Sequence, residues 1–304
     1  MSDPAARGTA GAGPARGGSS APGRGSARGG SSIRDALQGA ITAIAAAGCE
    51  TPRLDAEVLL AHVLGVPRER LLLDRGLTVA GPAVRAFQAA VRRRAVEREP
   101  VAYIVGTRGF RGIELAVDPR ALVPRPETEL LVETALALPH AARVLDVGTG
   151  SGAVALALKH ERPDLAVSAS DVSGEALALA GANAQRLGLD VGFLRADLLD
   201  GITAEFEAVL ANLPYVPEPD RAALAPEIVR HEPPGALFAG ADGLDAIRAL
   251  TRQLAARASV RFLALEVGAG QAPAVGALCE AAGFEKVGFA RDLAGIERVV
   301  KGER

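Results

Sequence analysis

The sequence predicts an α/β protein: a parallel sheet covered by helices on both faces, preceded by a small all-helical domain. Three observations carry this. From Ala142 onward, short β-rich apolar runs alternate with helical patterns, as βαβ units require. Between residues 33 and 106, apolar residues instead recur at three- and four-residue spacings. The first strand of the alternating region, Val144 to Val147, runs directly into three closely spaced glycines and then a helix.

Taken in order, residues 1–32 are almost wholly Gly, Ala, Ser, Pro and Arg, too poor in apolar surface to offset the entropy of ordering, so a disordered tail is expected. Its four arginines against one Asp equally suit an organelle transit peptide. Residues 33–106 read as a helical domain for substrate recognition: IRDALQGAITAIAAAG and LDAEVLLAHVLG each close on a glycine, and a third helix is expected over Pro82 to Glu97. In VRRRAVERE, the grouping of Arg92, Arg93, Arg94 and Arg98 reads as a solvated helix face. Residues 107–128 form a linker in which Phe110 to Val117 suits a β-hairpin, and Pro126 suits the first position of a helix. Residues 129–304 hold the sheet, with strands at RVLDV, AVSAS, VGFLR, EAVLA and RFLALEV, and a closing hairpin around Asp292 to Gly295.

Composition narrows the function classes. With 34 basic against 36 acidic residues, nothing in the overall charge demands nucleic acid or a membrane surface. No apolar run reaches the length of a membrane span, so a cytoplasmic protein without a membrane partner is expected. Cys49 and Cys279 lack metal spacing and read as small buried apolar residues in a reducing compartment. The four histidines do not cluster, and no metal site is expected.

The chemistry concentrates at strand ends. In VLDVGTGSGAVALAL, the loop Gly148-Thr149-Gly150-Ser151-Gly152 permits a tight turn and close backbone approach at a helix start, the arrangement that receives a nucleoside ligand. Gly148-x-Gly150-x-x-Ala153 also satisfies the dinucleotide fingerprint, with Asp171 about twenty residues on. Asp146 separates the two readings, because a carboxylate beside the loop repels a pyrophosphate and attracts a sulfonium and an ammonium, favouring S-adenosylmethionine. Asp171 then accepts from the ribose hydroxyls and Asp197 from the adenine amino group, while Leu198 flanks the ring.

The fourth strand end is Asn212-Leu213-Pro214-Tyr215. Asn212 offers a side-chain carbonyl, Leu213 a backbone carbonyl freed by the bend at Pro214, and Tyr215 a flat ring. Two acceptors and a plate suit a planar group bearing NH₂, aimed at a methyl donor. An amide, an adenine and a merely bound nucleoside all remain compatible with that pattern. Against nucleic acid stands a chain with no Trp, two Tyr and 3% aromatics, poor equipment for stacking bases.

LVPRPETE (Leu122 to Glu129), VLDVGTGSG and the Asn-x-Pro-Tyr tetrad, behind a helical domain with LDAEVLLAHVLG and PVAYIVGTRGF, resemble the HemK/PrmC family of release factor glutamine methyltransferases. RHEPPGALFAGADGLDAI follows the same pattern. The resemblance implies a seven-stranded Rossmann-like class I methyltransferase domain and S-adenosylmethionine as donor. It also implies, as partner and substrate, the GGQ-loop glutamine of class 1 peptide chain release factors, with no stable nucleic-acid partner. The family usually has Asn-Pro-Pro-Tyr; Leu213 departs from it, which a position contributing its backbone carbonyl tolerates. Glu127 and Glu129 are expected either to order the loop over the site or to cap the following helix.

Overall fold

The computed structural model describes residues 30–74 and 78–304. The expected disordered tail lies outside the described residues except at its end, where the expectation is corrected: Gly30–Ser32 form strand β1, antiparallel to β2 (Thr78–Ala80). The Ser32 hydroxyl accepts from the Asp35 N–H and caps the first helix, which fixes the chain just before it.

Five helices follow in the N-terminal region: α1 (Ile33–Ala46), α2 (Pro52–Leu64), α3 (Arg68–Leu73), α4 (Pro82–Ala95) and α5 (Val101–Val105). Proline opens α2, where its missing N–H is unneeded, and Gly65 closes it in the left-handed conformation at φ 63°. Ile44, Leu59, Leu60 and Phe87 pack together as the core of this domain, and Cys49 is buried with them.

Of the four clustered arginines, Arg92 is solvated as composition suggests, but the other three are not. Arg94 is 5% exposed and binds Asp55 at 2.6 Å and Glu227 at 3.0 Å. Arg98 binds the same Glu227 at 2.5 Å and the Ala47 carbonyl, and Arg93 forms a two-pronged pair with Glu99. Charge spacing on one helix says nothing about acids brought up from elsewhere in the chain, and here they came from 39 and 133 residues away.

β3 (Thr107–Phe110) and β4 (Ile113–Ala116) form the expected hairpin, turning through Arg111 at φ 40° and Gly112 at φ 79°, the paired positive angles that match strand twist. A 3₁₀ turn at Pro126–Thr128 leads into α6 (Glu129–Ala135). Then come β5 (Arg143–Val147), α7 (Ala153–Glu161), β6 (Ala166–Asp171), α8 (Gly174–Leu187), β7 (Gly192–Arg195), β8 (Ala208–Ala211), α9 (Pro226–His231), α10 (Asp245–Ala255), β9 (Phe262–Glu266), α11 (Ala272–Ala281), β10 (Lys286–Arg291) and β11 (Glu297–Glu303).

One seven-stranded sheet results, in the order β10-β11-β9-β8-β5-β6-β7. Six strands run in one direction, and β11 runs antiparallel to both its neighbours. All four residues of β8 are buried, as a strand covered on both faces must be. Leu145, Leu263 and Val300 face one packed layer with α10 and α11; Val144, Leu210 and Val299 face the other, with α6 and α7. Strand order reverses direction at β5, between β6 and β8, which opens a crevice at the carboxyl ends of these strands.

Candidate active site

A cavity of ≈ 570 Å³ fills that crevice, within the range of small-molecule sites. Its floor is the loop after β5. Gly148, Gly150 and Gly152 have φ of 74°, 56° and 87°, a conformation that side chains oppose. A Cβ on Gly148 would stand 3.1 Å from Leu213 Cδ2, so the bare backbone is what lets the two strand ends meet. Gly152 does not line the cavity; a Cβ there would meet Leu156 Cδ1 at 2.8 Å and Ala180 Cβ at 3.2 Å, so its bare backbone is what lets the start of α7 pack against α8.

Two carboxylates build the loop. Asp146, 2% exposed, accepts from the Thr149 hydroxyl at 2.7 Å and from the Ala155 N–H at 3.2 Å, capping α7. Burial pushes its pKa up to about 7, against those two hydrogen bonds, and the charge of Asp171 pushes it further the same way. Asp171 accepts from the Gly150 N–H and the Ser173 N–H, both at 2.9 Å. Ser151 turns its carbonyl to Asn183, whose amide also pairs with both backbone groups of Ala116 and so ties the β3–β4 hairpin to the loop.

The other walls come from distant chain. Asp197 is exposed at the mouth and Leu198 holds φ 55°, a strained angle that sets its side chain against the cavity. Ala121, Pro124 and Thr128 close one side from the linker, and Pro233, Ala236 and Phe238 close another. Buried Glu232 joins these two segments, pairing with Arg125 at 2.5 Å and accepting from the Val123 N–H at 3.4 Å.

Asn212, Leu213 and Pro214 also line the cavity. Asn212 donates through Nδ2 to Thr128 Oγ1 at 3.1 Å, which leaves its Oδ1 as the acceptor end. Leu213 does more than offer a carbonyl: its side chain is 4% exposed and packs over Gly148. Tyr215 is half-buried and does not line the cavity. Its hydroxyl donates to Glu266 Oε1 at 3.1 Å, and its ring lies against Gly268. Glu129 accepts from the Arg111 N–H and serves the hairpin, not the cavity. Sequence reasoning passed over Thr128, Glu232 and Glu266; the available signal was an acid ending the apolar run RFLALEV, at a depth where a charge needs a reason.

The fit to a cationic donor rests on the electrostatics. Asp146 and Asp171 face one cavity, and the charge of Asp171 opposes the ionisation of Asp146, so a ligand bearing positive charge relieves the site where a pyrophosphate would strain it. Such a site, on a sheet with one reversed strand, defines the class: an S-adenosylmethionine-dependent methyltransferase of class I fold. At the level of fold alone, the hMettl16 catalytic domain, solved in complex with a MAT2A 3′UTR hairpin, agrees with a TM-score of 0.51 and 15% identity, over 73% of this chain and 79% of that one.

The chain belongs to the release factor glutamine methyltransferase family. A protein of that name from Deinococcus radiodurans is 42% identical over 276 residues, spanning 90% of this chain and 98% of that protein. Another from Cereibacter sphaeroides is 43% identical over 270 residues, 88% of this chain and 96% of that one. Family profiles described as the PrmC N-terminal domain and the methyltransferase small domain match residues 35–106 and 126–237. Among the described residues, no helix is long and apolar enough to cross a membrane.

Proposed function

We propose that this chain methylates the side-chain amide nitrogen of the glutamine in the GGQ loop of class 1 peptide chain release factors, in the cytoplasm and without a stable nucleic-acid partner. The observation that carries the reading is the orientation of Asn212, whose Nδ2 is engaged by Thr128 so that Oδ1 is the end offered to an incoming NH₂. The family relationship, which extends through the helical domain, supports a protein substrate.

When bound, S-adenosylmethionine supplies an electrophilic methyl carbon, which passes to the amide nitrogen as its bond to sulfur breaks. The backbone of Gly148 to Ser151 cradles the donor, Asp171 accepts from its ribose hydroxyls, Asp197 from the adenine amino group, and Leu198 flanks the ring. Asp146 holds the loop through Thr149 and Ala155 and contributes negative charge near the donor's cationic end. Asn212 Oδ1 and the Leu213 carbonyl accept the two amide hydrogens and Pro214 fixes the bend between them, while Tyr215, outside the cavity lining, anchors the end of the segment through Glu266. A carboxamide nitrogen is a poor nucleophile because its lone pair is delocalised, so alignment is the contribution these residues make; well-oriented reactants gain about 7 to 11 kcal/mol in favourable cases.

Methyl transfer from labelled donor to a full-length release factor, to its Gln→Ala variant and to rRNA tests the reading. Label on the factor alone, absent from the Gln→Ala variant, is expected. Label on RNA and none on the factor overturns it.

A further inference from the structure

Ala211 and Leu265 are paired residues of the parallel strands β8 and β9, so Asn212 and Glu266 follow side by side at adjacent strand ends. Glu266 is 1% exposed, and its Oε2 is buried without a hydrogen-bond partner among the described residues. Its Oε1 accepts from the Tyr215 hydroxyl, and the Thr128 hydroxyl stabilises its ionised form. Thr128 itself is 3% exposed and takes the Asn212 N–H. A buried acid with an unsatisfied oxygen is costly to the fold.

We infer, on the reading of an amide substrate above, that Glu266 and Thr128 are positioning residues that fix which end of the Asn212 amide faces the substrate. A hydroxyl has one proton. While Glu266 is ionised, Thr128 directs that proton to the carboxylate and can only accept from Asn212, so Nδ2 is held inward and Oδ1 outward. Once Glu266 is protonated, Thr128 is released to donate to Oδ1, the amide turns over, and an NH₂ would confront the NH₂ of the substrate. The same carboxylate holds the Tyr215 phenol, three residues along the segment that carries Asn212.

Burial raises the Glu266 pKa to about 7; Thr128 and Tyr215 oppose that rise as hydrogen-bond donors, Glu127 adds to it, and Arg298 opposes it. Arg298 is itself paired with Asp292 at 2.9 Å, and Arg125 adds positive charge on the Tyr215 side. The ionised, aligned state therefore prevails above neutrality and the misaligned one below it.

The experiment uses the full chain and a full-length release factor. Thr128→Val is expected to lower kcat at least about tenfold while donor affinity by calorimetry stays within about twofold, and Thr128→Ser is expected to restore most of the loss. Wild-type kcat should fall as pH descends through neutrality, and Glu266→Gln, which cannot ionise, should lack that fall. Wild-type turnover in Thr128→Val, or an unchanged acid limb in Glu266→Gln, overturns the inference. Should the wild type label no release factor, the proposed function fails instead. The amide orientation is then read directly from the Asn212 side-chain NH₂ resonances of ¹⁵N-labelled protein. Those signals are expected to shift in Thr128→Val, and identical signals sink the inference on their own.

Discussion

The Arg94 guanidinium, on α4 of the helical domain, reaches Glu227 on α9 at 3.0 Å while holding Asp55 of α2 at 2.6 Å. The helix α9 belongs to the segment that runs on through Pro233 and Phe238 into the cavity wall, so the helical domain is joined by a buried ionic contact to the roof of the site. Burying three charges costs solvation that their attraction roughly offsets, but removing one partner leaves the others stranded. Arg94→Ala should destabilise the protein by about 3 to 5 kcal/mol, read as a lower denaturant midpoint. A midpoint within error of wild type would show the contact to be solvated.

Asn212→Ala should abolish methyl transfer with donor affinity within a few fold, because the substituted group meets the substrate. Loss of one buried amide acceptor costs about 1 to 3 kcal/mol of alignment at least. Single-turnover rates and donor calorimetry separate the two effects, and unaltered turnover would remove Asn212 from the chemistry.

Asp171→Ala should weaken donor binding on two counts, since the carboxylate serves both the ribose and the N–H groups of Gly150 and Ser173. Asp171→Asn keeps an acceptor for the loop and should bind donor more tightly than the alanine variant. Equal affinity of both variants and wild type would exclude the ribose contact.

Gly148→Ala should lower donor affinity at least about tenfold, because φ 74° strains any side chain and the new methyl would press on Leu213 Cδ2 at 3.1 Å. Pairing it with Leu213→Ala should recover part of the loss. Donor titration of the single and double variants checks both statements.

Asp146 makes stability depend on pH in a definite direction. Its folded-state pKa is raised to about 7 by burial, so the native state holds its proton more tightly than the unfolded chain. That contribution is fully present below the ordinary carboxyl range near 3.8 and is lost as pH rises through 7. Melting curves of wild type and Asp146→Asn should therefore diverge in favour of the variant as pH rises from about 4 to about 7. A constant difference across it would show that Asp146 is solvated.

The alternation of strands and helices, the glycine loop and the acids at strand ends were legible because each is a local signal. A strand must show its apolar faces, a tight turn needs glycine, and a proline bend is fixed by its own ring. Thr128 stands within LVPRPETE, but nothing local gives it a role, since its partner Asn212 lies 84 residues away. The acidic partners of Arg94 on α4 escape a local reading for the same reason.

The sequence by itself determined the layers of this protein, the class of ligand its loop receives and the four residues that could face a planar NH₂ group, all from short-range chemistry. Only the tertiary structure decided which end of the Asn212 amide is presented, that the Tyr215 hydroxyl is turned to Glu266, and that Arg94 binds two acids from other helices. Orientation and pairing depend on distances between residues far apart in the chain, and those distances exist only once the sheet has brought its strand ends together.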